Sequence, residues 1–169
     1  MYAIWSTSNG SVTLPSAISR NQSTAKGYTV TFNANGGSCG TTSLTATNTT
    51  TYTFAGWSYN GTTYAAGASY TPTAATAMTA NWSTNTTLGS ITLPTASKSG
   101  YTFVGWGTSA SATSGVTGSY TPNGNVTLYA VYSANGYQVT YNANGHGTAP
   151  ANQTKTHGTA LTLQSFIAN

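Results

Sequence analysis

The chain of 169 residues carries four Lys or Arg and no Asp or Glu, for a formal net charge of +4, and 12% of it is aromatic, with twelve tyrosines. Its cations (Arg20, Lys26, Lys98 and Lys155) are scattered, unlike the concentrated positive surface of a nucleic-acid binder, and without carboxylates neither paired-acid hydrolysis nor a Ser-His-Asp triad can be assembled. The aromatic content is too high for a low-complexity coil, and the abundance of Thr, Tyr, Gly and Asn predicts a mostly β chain with a polar, nearly uncharged surface.

In chain order, MYAIW at 1–5 comes first, and its pattern returns as MTANW at 78–82 and LYAVY at 128–132. Met1 aligns with Met78 and Leu128, and Trp5 with Trp82 and Tyr132. Residues 1–9 therefore read as the terminal strand of a preceding repeat, with Met1 in a core. Residues 10–27 read as a connector in which GSVTLP at 10–15 can add a strand to a neighbour. That element recurs as GSITLP at 89–94 and, more loosely, as LTLQ at 161–164.

YTVTFNANGG at 28–37 alternates Tyr28, Val30 and Phe32 with threonines, as a half-buried strand requires. Asn35-Gly36 then offers the positive φ angles of a tight turn. YQVTYNANGH at 137–146 repeats the block with Asn144-Gly145. YTFAGW at 52–57 and YTFVGW at 101–106 form a second pair, each followed by SYTP, at 69–72 and 119–122. Tyr70 follows Tyr52 by 18 residues and Tyr120 follows Tyr101 by 19, a difference that a Gly/Ser/Thr-rich hairpin loop absorbs.

These blocks divide the chain into a repeat module at 28–87, a second, shorter module at 88–135 that lacks the YTVTFNANGG hairpin, and the first part of a third, incomplete module at 136–169. Each module must build its own apolar centre, so recurring aromatics at strand spacing are core and assembly candidates. They are Met1, Trp5, Tyr28, Phe32, Tyr52, Phe54, Trp57, Trp82, Tyr101, Phe103, Trp106, Tyr132, Tyr137 and Tyr141.

The order YTVTFNANGG, TLP, YTFxGW, YTP, LYAVY resembles the Listeria–Bacteroides repeat family, related to the B-repeats of internalin-type surface proteins. The resemblance covers nearly the whole chain. It implies small β-grasp (ubiquitin-like) modules joined by short connectors, placed at the cell surface or outside the cell and serving as stalks, spacers or adhesive segments, with no enzymatic activity. The chain departs from the family in its acids: members often carry Asp where Asn33 and Asn142 stand, and roughly twenty acidic residues would be ordinary for this length. Lys–Asn isopeptide bonds of surface adhesins normally need such a carboxylate, which leaves Lys26, Lys98 and Lys155 without a helper.

Among reactive side chains, His146, His157 and Cys39 show no ligand spacing for a metal, and no cofactor is implied. His146 takes a glycine position of its turn, as an exposed residue. Cys39, in GGSCGT, is expected as a solvent-facing thiol. Trp57 and Trp106 could stack on a sugar, but their recurrence favours a core role. Ranks of outward threonine for ice binding would need a shorter, more regular period. Eight N-x-S/T sequons, at Asn9, Asn21, Asn48, Asn60, Asn81, Asn85, Asn125 and Asn152, match a glycosylation pattern that a Thr/Asn-rich chain also meets by chance. No apolar run approaches a membrane span. The expected partners are neighbouring repeats or further copies of the same protein, then glycans, with no nucleic acid and no membrane insertion. The functional expectation is a structural stalk, spacer or filament subunit, with strand complementation between copies through residues 1–5 and 137–169. The alternative is an adhesin module for carbohydrate or a host surface.

Overall fold

The computed structural model describes residues 2–5 as backbone, and residues 10–15 and 23–165 in full. It is all-β, with no helix among the described residues. In chain order the strands are β1 (Tyr2–Trp5), β2 (Val12–Thr13), β3 (Ser23–Asn33), β4 (Ser43–Tyr59), β5 (Thr62–Tyr64), β6 (Ser69–Tyr70), β7 (Thr76–Thr87), β8 (Ile91–Thr92), β9 (Tyr101–Gly107), β10 (Ser119–Tyr120), β11 (Val126–Ala134), β12 (Gly136–Val139) and β13 (Gln153–Thr156). Met1 lies outside the described residues, so its expected core role has no structural counterpart here.

The chain forms two compact units, and neither is a continuous stretch. One comprises Met1–Gly27 and Thr47–Gly89, the other Tyr28–Ala46 and Ser90–Asn169. Strands β3 and β4 each run from one unit into the other. The cause is visible in β4, where SLTATNTTTYTF holds six β-branched threonines and no Gly or Pro before Gly56. Nothing there turns the chain back before YTFAGW. In the second unit Gly100, at φ +79, makes that turn immediately before YTFVGW, with the Tyr101 amide donating to the Lys98 carbonyl at 3.0 Å. Thr51 stands at the corresponding place in β4.

In the first unit β7 lies between β1 and β4, antiparallel to both, and β5 adds to the far side of β4. Asn60 and Gly61, at φ 46 and 77, form the two-residue loop of the β4–β5 hairpin. Leu14, Trp57 and Met78 are its buried centre, flanked by Phe54, Tyr59, Tyr64 and Tyr70.

In the second unit β11 lies between β3 and β9, parallel to β3 and antiparallel to β9. The parallel register sets Val126 beside Val30 and Leu128 beside Phe32. Around them nine buried residues form one cluster, including Ile91, Leu93, Trp106 and Ala130. The hairpin β12–β13 also belongs to this unit.

Candidate assembly site

Each unit is closed by the same latch. The TLP element forms a short strand, β2 or β8, paired antiparallel with the SYTP strand, β6 or β10: Val12 faces Tyr70, and Ile91 faces Tyr120. The leucine amide then donates to a backbone carbonyl, Leu14 to Ala68 at 2.8 Å and Leu93 to Gly118 at 2.7 Å. The proline carbonyl receives the indole of the YTFxGW tryptophan, Trp57 Nε1 to Pro15 at 3.3 Å and Trp106 Nε1 to Pro94 at 2.7 Å. A buried indole N–H needs such an acceptor.

Close backbone packing explains the glycine before each tryptophan. A side chain at Gly56 would approach the Tyr64 carbonyl oxygen to 2.4 Å, and one at Gly105 would approach the backbone of Gly115 to 2.8 Å. Both glycines have positive φ, at 135 and 152, and each lies at a register shift of its sheet. The sequence singled out the tryptophans and the recurring TLP. It gave less weight to Leu14, Met78 and Leu128, whose side chains are as deeply buried, and to Leu93, which is also buried.

Trp57 and Trp106 are 2% and 1% exposed, so neither offers a face to a sugar ring. Phe32 is buried; Tyr28, Tyr52, Phe54, Trp82, Tyr101, Phe103, Tyr132 and Tyr141 are half-buried, and Tyr137 is exposed. Phe54 bridges Trp57 and Trp82 with centroids 5.4 and 5.5 Å away. Phe103 does the same between Trp106 and Tyr132 at 5.6 and 5.9 Å. Of Trp5 only the backbone is described, with Trp5 paired to Thr76.

The two NANG turns share one construction. Asn35-Gly36 has φ 49 and 80, and Asn144-Gly145 has 48 and 82. In each, the asparagine two residues earlier accepts a backbone N–H: Asn33 Oδ1 from Asn35 at 2.9 Å, and Asn142 Oδ1 from Asn144 at 2.7 Å. That bond needs only a side-chain oxygen, so an amide serves where relatives carry a carboxylate. Tyr132 fixes the first turn by donating its hydroxyl to Ala34 at 3.1 Å. Burial holds that hydroxyl above the usual tyrosine range, and the charge of Cys39 adds to the shift. Lys98 lies over the rings of Tyr101 and Tyr132, 4.8 and 5.5 Å from their centroids.

Cys39 departs from the expected solvent-facing thiol. It is half-buried, packed against the larger core, with Sγ donating to the Thr41 carbonyl. His146 is exposed in its turn, while His157 packs edge-on against Tyr101 at 5.1 Å. Among the described residues no three His or Cys gather as a metal site, and no helix is long and apolar enough to cross a membrane.

The latch and the paired turns recur with the sequence blocks, and one family profile matches those blocks three times. The Listeria-Bacteroides repeat domain covers residues 28–81, 79–131 and 137–167. The chain belongs to the Listeria–Bacteroides repeat family. Domains of this family occur in bacterial surface proteins and are generally structural. No curated protein and no solved structure matches the chain. The first match, 28–81, takes its hairpin from one compact unit and its later strands from the other, so the Listeria–Bacteroides repeats and the compact units are out of step.

Proposed function

We propose that this chain is a non-enzymatic structural segment of an extracellular bacterial surface protein, acting as a stalk, spacer or filament subunit. The observation that carries the reading is the handover of the hairpin at 28–46: it is matched as part of one repeat and is buried in the core built around the next. The repeats at 28–87 and 88–135 are thereby interlocked rather than merely tethered, which suits a load-bearing array in which 136–169 begins the next repeat. The expected β-grasp-like fold is approached in the second unit, which β3 completes. The parallel pairing of β3 with β11 supports this, because a parallel first and last strand at the centre of the sheet characterises that arrangement. Strand complementation between copies is the second means of extension.

The adhesin alternative drew on Trp57 and Trp106 as sugar platforms, and their burial removes that support. Tandem copies of the chain, imaged by electron microscopy and measured by small-angle scattering, test the structural reading. Contour length should rise in proportion to copy number. Collapse into a globule of constant aspect, or retention on a glycan array, would overturn it.

A further inference from the structure

The two NANG hairpins are alike in sequence and turn geometry, yet their surroundings differ. Tyr28, Val30 and Phe32 correspond to Tyr137, Val139 and Tyr141. Val30 is fully buried and Phe32 is 7% exposed, because β11 lies alongside them in parallel. Tyr137, by contrast, is 48% exposed, while Val139 and Tyr141 are half-buried. Strand β12 pairs only with β13 among the described residues. Its GYQV edge carries neither lysine nor proline to discourage pairing. Leu163, at the place of the latch leucines Leu14 and Leu93, is 64% exposed. The third repeat therefore presents the elements that the other units bury.

Strand β7 offers the matching edge. It corresponds to β11, with fully buried Met78 in the place of Leu128, and lies antiparallel to YTFAGW as β11 does to YTFVGW. On its other side, where β11 receives the parallel hairpin strand, β7 carries only the four residues of β1, running antiparallel. The hairpin at 28–46 that precedes β7 in its repeat is engaged in the second unit.

We propose that the β12–β13 hairpin of one copy displaces β1 and seats on β7 of a second copy, in the parallel register that β3 keeps on β11. This rests on the structural reading above and names its joint. Transferring the register of β3 and β11 sets Val139 opposite Thr76, Thr140 opposite Ala77 and Tyr141 opposite Met78. The Tyr141 hydroxyl keeps its partner within its own hairpin, Gln153 Oε1. Each copy offers one donor hairpin and one acceptor edge, a heterologous contact that propagates.

The test uses the full chain in a Cys39→Ser background. Thr140 and Ala77 are both exposed, and opposed Cα atoms of neighbouring strands fall within disulfide reach. The pair A77C/T140C should give, on mild oxidation, a reducible ladder of dimers and longer species. The pair T79C/T140C, displaced by two residues, should give about tenfold less. Adding Val139→Lys should abolish the ladder. Sedimentation of the unmodified chain should show concentration-dependent growth. A chain that stays monomeric at every concentration overturns the joint while leaving the spacer reading to the tandem-copy measurement. Assembly with equal ladders from both cysteine pairs, or a disulfide confined to the monomer, overturns the joint and leaves assembly standing.

Discussion

The two compact units reach one latch by different routes. In the second, the TLP element, YTFVGW and SYTP follow one another along the chain, with Gly100 turning it between the first two. In the first, a hairpin that belongs to the other core interrupts the same series between Pro15 and Tyr52. Both close with an indole on a proline carbonyl and a leucine amide on the SYTP side. Closure therefore depends on which side chains meet, and chain order between them is free to vary. The units differ in what lies beside their last long strand: four residues of β3 in parallel, or the four residues of β1 antiparallel.

The largest way to break the likeness is at the tryptophans. Trp106→Ala should cost about 3–5 kcal/mol in denaturant unfolding, and Trp57→Ala should fall at the lower end. The reason is that, among the described residues, Trp106 sits in a cluster of nine buried residues and Trp57 in one of three. Equal losses would show that the two cores are equally tight. Next come Gly56→Ala and Gly105→Ala, which add a side chain against backbone at positive φ. Each should cost about 1–3 kcal/mol, read as a lowered thermal midpoint.

Tyr132→Phe should cost about 1 kcal/mol at neutral pH through its lost bond to Ala34. The folded protein resists ionising Tyr132, so the stability linked to this group is full below the unfolded tyrosine value of 10.0 and declines as pH rises beyond it. The variant should accordingly lose less stability between neutral and alkaline pH than the parent. A parallel loss in both would contradict the assignment. The smallest effect separates the turns: Asn33→Ala should cost about 1 kcal/mol, with Asn33→Asp close to neutral. Asn142→Ala should leave the main unfolding transition unmoved, because its hairpin lies outside the nine-residue core.

Much of this architecture was legible in the residues. The alternation in YTVTF and the Asn-Gly pairs encode strand and turn locally, and the positive φ of Asn35 and Asn144 follows directly. Trp57 and Trp106 declared their role by recurring. The pairing of a hairpin with a later repeat was not legible, because parallel partners are fixed by cores that form over long sequence separations. Its only local trace is negative: threonine at 51 where glycine stands at 100. Cys39 likewise sits in a glycine-rich stretch that reads as solvent loop, and only its packing against the larger core half-buries it.

The length of β4 has a consequence for how such proteins change over generations. A single strand of 17 residues serves two bodies, so the units are not beads that can be added or removed one at a time. A genetic crossover that excised residues 47–89 would delete most of one unit and leave its upstream TLP element without a tryptophan to close on. One that cut between equivalent points of successive hairpins would preserve every handover. Gain and loss of copies in a lineage should therefore keep phase with the NANG hairpins and not with the compact bodies that the eye would count.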